Sequence, residues 1–563
     1  MTAGATAVDD TALDPARWVT LVIVLIAAFI VVLDNTVLNV SIPTILRDFH
    51  TTLPALEWVV TGYALMFATL LIIGGRLGDI YGHRRIFIIG AALFGAGSLL
   101  ASVSTSVGEL ILGEAVIEGI GASLMLPATL AILSSTFRGR ERAAAFAAWG
   151  ATAGVAAAAG PVVGGFLTTN YSWRWSFRIN VIVAPVAMIG ALLFMKRAGR
   201  SSARVRIDVP GAVLIAAGMF LLVFGLSEGG IYGWWKPTKD FSIAGTVVWP
   251  ADRAVSVIPV VFVASVVILG AFVWFELVKD RSGRDPLFHF AHFRFKTYRY
   301  GLLTSMVLAM GQLGISFVLP VFLQDGKHLT AQRNGLWMLP SGLFVIVGAQ
   351  TASLLIRRYG TTIIVRVGLV MYAIGIVLIL RVVNLDITVW SLLPGLALYG
   401  AGIGFAGAQL TNVVLSDIPA ESSGVASGAN TTMRQVGSAL GVSVIGSLLT
   451  VQSINAATSR IASSSLPRAV KQTALAGVHA AGTGYVPPRS LPPRHANVVV
   501  GAIEHGVTTG TRLALVFAVF VIIAGTLMSL LIPRDAPHRD DPASTPEPSG
   551  AFEPDPASIG DLA

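Results

Sequence analysis

The sequence predicts an all-α polytopic membrane protein of about fourteen transmembrane helices, and three observations carry that prediction. Of 563 residues, 54% are hydrophobic and only 12% are charged, with a mean hydropathy of +0.75, whereas soluble domains carry about 25% charged residues. Apolar runs of roughly 20 residues recur along the chain, each long enough to cross about 30 Å of hydrocarbon as a helix. The runs are continuous rather than alternating, so helices and not a barrel are expected.

Taken in order, six spans fill the first third: Trp18 to Val40, Ala55 to Gly74, Ile86 to Val103, Leu110 to Leu133, Ala143 to Thr168 and Phe177 to Met195. Two more follow, Val209 to Leu226 and Val255 to Val278. Another six are Tyr300 to Leu323, Leu336 to Leu355, Ile363 to Leu380, Trp390 to Leu415, Gly424 to Val451 and Leu513 to Ile532. An even number places both termini on one side. The basic residues decide which side. Arg84 with Arg85, Arg138 to Arg142, Lys196 to Arg206, Lys279 to Arg284, and Arg357 with Arg358 occupy alternate loops, which the positive-inside rule assigns to the cytoplasm. The formal net charge of +9 is therefore a matter of topology, and no nucleic-acid partner is expected. The chain has no cysteine, which excludes disulfides, thiol catalysis and cysteine-ligated metal.

The domain plan is a cytoplasmic tail over 1–17, a six-helix bundle over 18–195, a linker with two additional spans over 196–299, and a second six-helix bundle over 300–533. A further tail over 534–563 is acidic, proline-rich and disordered in expectation. Residues 452–511 form a long external connection rich in Ser, Pro and Ala, expected to be partly disordered. The connection after Glu228 carries Trp234, Trp235 and Trp249, an expected interfacial aromatic belt.

The most specific motif is GGRLGDIYGHRRIF, from Gly74 to Phe87. Gly75, Leu77, Gly78, Asp79, Gly82, Arg84 and Arg85 resemble the loop signature of the major facilitator superfamily, with Ile80 where that family usually has a basic residue. Its glycines permit a tight turn, and Asp79 can accept hydrogen bonds from a helix N-terminus or an arginine. Together they suggest a cytoplasmic latch between bundles. A faint counterpart, ASLLIRRYGTTII, aligns Gly360 with Gly82 and puts Arg357 where Asp79 stands. Six spans, two spans and six spans thus fit two bundles related as parallel repeats, with substrate between them near the midplane.

In the first span, VVLDNTVLNVSIP places Asp34 about 24 Å into the membrane at helical rise. An intramembrane acid is a functional hypothesis by default. Leu33, Asp34, Thr36, Asn39 and Pro43 resemble the first-span signature of the fourteen-span drug:proton antiporters in that superfamily. In the fourth span, Glu114 and Glu118 are four apart on one helix face, and Glu118 enters from outside to about 13 Å, near the depth of Asp34. Glu114 lies closer to the surface and is either a partner in the site or merely solvated. Burial and mutual repulsion among such carboxyls make proton carriage near neutrality feasible. The resembled family usually has Arg at Ala115 and Gln at Glu118, so this span departs from the pattern.

The fifth span reads WGATAGVAAAAGPVVGG. Gly150, Gly154, Gly160, Pro161, Gly164 and Gly165 resemble the superfamily's antiporter motif, a small-residue helix with a proline kink. SWRWSFRIN after it again resembles this family, with Arg178 in place of an apolar residue and expected to snorkel to the outer interface. In the second bundle, Arg434 lies well inside its span and needs a partner, which is either an acid of the first or fourth span or backbone carbonyls. Gln312, Gln350, Gln409 and Asn412 are candidate cavity groups.

Several patterns carry no function. Gly402, Gly404 and Gly407 satisfy G-x-G-x-x-G inside an apolar helix without a preceding strand. His289 and His292 make no zinc site without a third ligand. No G-x-x-x-x-G-K-(S/T) occurs, and no nucleophile, base and orienter emerge together. No enzyme, cofactor or metal is expected. The resemblance implies the major facilitator fold, two six-helix bundles with two extra central helices. It also implies a cell-membrane antiporter, expected to be a monomer, that exports hydrophobic or cationic compounds in exchange for protons, in contact with membrane lipids. The alternatives are a dedicated exporter of one metabolite, antibiotic or lipid, and a non-transporting receptor or scaffold.

Overall fold

The computed structural model describes residues 16–137, 139–195, 208–243, 246–282, 290–418, 423–488 and 490–533. Both expected tails fall outside that set apart from Ala16 and Arg17, as do His289 and the basic loop from Lys196 to Arg206.

Among the described residues, fourteen helices are long and apolar enough to cross a membrane, matching the predicted count. The first bundle consists of α1 (Arg17–Asp48), α2 (Leu53–Tyr81), α3 (His83–Val103), a composite span, α6 (Gly139–Asn170) and α7 (Trp175–Phe194). The composite span begins as α4 (Val107–Leu110), passes through a π-helix (Ile111–Glu118) and ends as α5 (Gly119–Thr136). The extra pair is α8 (Val209–Tyr232) and α9 (Val257–Arg281). The second bundle consists of α10 (Lys296–Val321), α11 (Ala331–Tyr359), α12 (Thr361–Val382), α13 (Val389–Leu415), α14 (Ser423–Ser463) and α16 (Pro493–Ser529). Helices outrun the apolar windows because hydrogen-bonding continues into the polar headgroup zone, where sequence hydropathy has already fallen.

Two features depart from expectation. Residues 452–511 are largely helical: α14 continues to Ser463, the amphipathic α15 (Arg468–Ala481) follows, and α16 starts at Pro493. Low hydropathy suggested disorder, but Val478, Val499 and Ala502 bury an apolar face there. The connection after Glu228 also folds, as an antiparallel hairpin of β1 (Phe241–Ile243) and β2 (Thr246–Trp249). Of its tryptophans, Trp235 is 77% exposed, whereas Trp234 stacks on Phe262 and Trp249 lies under Arg253.

The packing follows the predicted repeat. α2 and α11 are both 29 residues long, and each ends at a glycine, Gly82 and Gly360, with φ of +93° and +80°. Only glycine takes such angles without strain. Between bundles, α6 packs on α11 and α2 packs on α14. If α2 corresponds to α11 and α6 to α14, these are one contact used twice, as a pseudo-two-fold axis requires. α8 packs on α9 and lies across the α2/α14 seam. α9 turns Val263, Val266, Val267 and Trp274 outward, an apolar face suited to lipid.

Candidate proton and substrate site

α1 is polar at four of six positions from Asp34 to Asn39, yet most of that polarity is satisfied locally. Asn35 Nδ2 donates to Val31 O at 3.3 Å, Thr36 Oγ1 to Leu33 O at 2.8 Å, and Asn39 Nδ2 to Asn35 O at 3.0 Å. Asp34 instead reaches off the helix. Asn180 Nδ2, from α7, donates to Asp34 Oδ1 at 2.6 Å and to Glu118 Oε1 at 3.1 Å. Ser98 Oγ, from α3, donates to Glu118 Oε2 at 2.6 Å. One carboxyl oxygen from each of Asp34, Glu114 and Glu118 lies within 4.8 Å of the others.

The π-helix completes the cluster. Its i→i+5 bonding, seen where Gly119 N donates to Glu114 O, re-aims side chains relative to a continuous α-helix. Glu114 is 1% exposed and Glu118 fully buried, so the solvated alternative for Glu114 is corrected. Gly97 and Gly113 let α3 and the π-helix touch backbone to backbone: a Cβ on Gly113 would lie 2.7 Å from Ala101 N. That approach brings Ser98 within reach.

Unit charges at 4.8 Å repel by about 3.5 kcal/mol at an effective dielectric of 20, and among the described residues no cation pairs with the three acids. Three simultaneous charges in this cluster would therefore be mutually destabilising. Asp34 Oδ2 and Glu114 Oε2 have no hydrogen-bond partner, room for a shared proton. The Asn180 amide thus ties together two of the three carboxyls.

Arg434 is half-buried on α14, and no ion pair joins it to these acids among the described residues. The acids also stay away from the inter-bundle cleft. That cleft is lined by Thr36, Asn39 and Pro161 from the first bundle and by Gln312, Met338 and Tyr399 from the second. α1 separates the two, with its acid turned into bundle one and its Thr36 and Asn39 facing the cleft.

The glycine-rich α6 has two working faces. Gly160 and Gly164 pack on Thr36 and Val37 of α1, whereas Gly165 packs on the Ala331 carbonyl and the Pro161 carbonyl packs on Gly335 of α11. Toward the inner end the contact loosens: a Cβ on Gly154 would meet only Ile346 at 3.6 Å, and one on Gly150 would meet nothing. On the outer face Gln332 N donates to Thr169 Oγ1 at 2.8 Å, and Gln324 Nε2 to Val40 O at 2.8 Å. The bundles are thus joined on the predicted outer side.

In the Gly74–Phe87 turn, Arg84 donates from Nε to Ala191 O at 3.0 Å and from a terminal nitrogen to Leu192 O at 2.6 Å. It ties α3 to the end of α7 within bundle one. Gly75 faces Pro127, Gly78 packs against the His83 ring, and Arg85 is exposed. The Asp79 side chain lies outside the described residues.

Residues 24–442 match the family model described as Major Facilitator Superfamily. The chain belongs to the major facilitator superfamily. It is 31% identical over 537 residues to the tetracenomycin C resistance and export protein of Streptomyces glaucescens, covering 94% of each chain. It is 27% identical to the multidrug resistance protein Stp of Mycobacterium tuberculosis, covering 76% of this chain and 75% of that one. A bacterial homologue of the human lysosomal transporter Spinster, solved inward-facing and unoccupied, shares the fold with a TM-score of 0.61 at 15% identity, covering 93% of this chain and all of the other. The chain is accordingly a multi-pass membrane protein of a transporter superfamily, not a member of an enzyme family.

Sequence reasoning paired the depths of Asp34 and Glu118 correctly and kept Glu114 as a candidate. It noted Asn180 only within SWRWSFRIN and missed Ser98 altogether. A polar amide in the largely apolar sixth span was the available signal for Asn180. A lone serine in an apolar helix gives none, because it can bond its own backbone.

SWRWSFRIN also has a structural use. Trp173 Nε1 and an Arg174 guanidinium nitrogen donate to Asp48 Oδ2 at 2.8 and 3.0 Å, fastening the outer end of α1. Arg178 lies over the Trp175 ring at 5.4 Å, consistent with an interfacial position.

Proposed function

We propose that this chain is a proton-coupled antiporter that exports hydrophobic or cationic drugs and toxic compounds across the cytoplasmic membrane by alternating access, as a monomer with both termini cytoplasmic. The observation that carries the reading is the buried carboxyl cluster of Asp34, Glu114 and Glu118 around Asn180, inside the bundle whose α1 also lines the cleft. Proton and substrate act on opposite flanks of one helix, so occupancy of the acids biases α1, and through it the cleft, without direct contact between carboxyl and substrate. Opposed preferences of the two ligands for the two states supply the coupling. Arg434 would respond from the second bundle as the bundles rock, and the Gly75 to Arg85 turn would latch the inner face.

Efflux driven by an imposed pH gradient in proteoliposomes tests the reading. Asp34→Asn and Glu118→Gln should each abolish the pH-driven component. Retention by both would exclude it. Export of one dedicated antibiotic is the second reading, favoured by the end-to-end match to a protein named for tetracenomycin C export. A substrate panel with one responder and no dye efflux would select it.

A further inference from the structure

A different acid lies between the bundles. Glu57 is on α2, one turn from its outer end, and is fully buried. Neither carboxyl oxygen has a hydrogen-bond partner. Oε1 lies against Gly446 of α14, where an added Cβ would come within 2.5 Å of it. Thr61, one turn on, is also fully buried with its hydroxyl unpartnered. Ser443 and Thr450, three before and four after Gly446, share a face of α14, and both hydroxyls are unpartnered.

Among the described residues, nothing in this seam neutralises an anion. α14 carries no charged residue between Arg434 and Arg460, and α10, whose Phe317 also borders Gly446, has none between Arg299 and Asp325. From α8 the facing group is another acid, Glu228, whose Oε1 accepts from Trp58 Nε1 at 2.8 Å and which feels Lys239 in turn. The cluster around Asp34 is on another flank of α2, that of Tyr63 and Gly62 facing Gly119 and Ala115.

We propose that Glu57 is a second proton-binding carboxyl, seated in the α2/α14 seam, whose protonation holds the outer face shut. An ionised carboxylate sealed in this seam carries a desolvation cost with no partner to offset it. Separation of α2 from α14 on the outer side admits water and stabilises the anion. Protons therefore favour the closed outer face and alkaline pH favours its opening. The inference rests on the alternating-access part of the proposed function, and not on proton carriage by Asp34.

The absence of native cysteine makes the test direct. Nitroxide labels on Tyr171→Cys, at the exposed outer end of α6, and Asp386→Cys, in the exposed α12/α13 turn, report the outer distance by pulsed electron spin resonance in lipid nanodiscs, without substrate or gradient. The closed population of the labelled parent should fall as pH rises. Glu57→Gln should keep the closed form at alkaline pH, raising the closed-to-open ratio by roughly tenfold or more. Glu57→Met, neutral and of similar length, should match it, so a folding failure of one variant leaves the other decisive. Parent and variants with superimposable pH curves would overturn the proposal. Those curves can coincide while Asp34→Asn still abolishes pH-driven efflux, in which case the Glu57 inference alone fails. A single outer distance at every pH would overturn alternating access and this inference with it.

Discussion

Gly165→Ala separates the two faces of α6. The added methyl would overlap the Ala331 carbonyl of α11, a backbone atom in the other bundle. Gly164→Ala would overlap instead with Val37, at 2.8 Å from its carbonyl, inside bundle one. Overpacking of this kind costs about 1 to 3 kcal/mol. At Gly165 the cost is felt only while the outer face is closed, so the closed-to-open ratio should fall by about 5- to 150-fold. At Gly164 the cost is the same in both states, so thermal stability should fall with little change in the ratio. The Tyr171/Asp386 label pair reads the ratio and a melting curve reads stability. A Gly165→Ala protein with the parental distance distribution, or a Gly164→Ala protein with the larger conformational shift, would refute this division of the helix.

Four further outcomes are expected. Asn180→Leu removes two bonds to carboxyls, each worth about 1.5 to 3 kcal/mol when the acceptor is charged, and should depress pH-driven efflux at least about tenfold; Ser98→Ala, which removes one bond, should do less in the same assay. Lys279→Met strips Asp208 of the ammonium 2.7 Å from Oδ2. Burial acts to raise the Asp208 carboxyl, but hydrogen bonds with Glu276, Lys279 and Gly211 N outweigh it and hold the group below the usual aspartate range. Its folded value being depressed, the stabilisation is present above about pH 4 and fades as pH falls through the folded value, so melting curves should show the Lys279→Met loss at neutral pH and less of it in acid. Gly82→Ala and Gly360→Ala force side chains into φ of +93° and +80° and should each cost about 1 to 3 kcal/mol of thermal stability. Asp79→Asn should slow transport with substrate binding nearly intact, measured as efflux rate against equilibrium binding; total loss of binding would count against a latch.

Much of the architecture was legible because bilayer thickness converts directly into run length. Fourteen apolar windows became fourteen helices, and the faint match of Gly360 to Gly82 became a pair of equal helices ended by the same backbone conformation. Residues 452–511 misled for the same reason that the rest succeeded. Hydropathy reports on lipid contact, and helices packed above the membrane need only one apolar face.

Depth is a one-dimensional quantity, and rise per residue sufficed to bring Asp34 level with Glu118. Azimuth is not one-dimensional. Which flank of α1 carries the acid and which the cleft depends on how α3, α7 and the π-helix pack, as does the burial of Glu114. Glu57 shows the same limit most plainly. In the sequence it is an unremarked acid near the start of a span; buried without a partner between α2 and α14, it depends on two bundles, 389 positions apart at Gly446, being pressed together. The sequence by itself determined the spans, the repeat and the level at which acids meet, with loop charge supplying an expected orientation. Tertiary structure alone decided which helix faces touch, because contact across bundles is set by packing of the whole molecule and leaves no periodic trace in either helix.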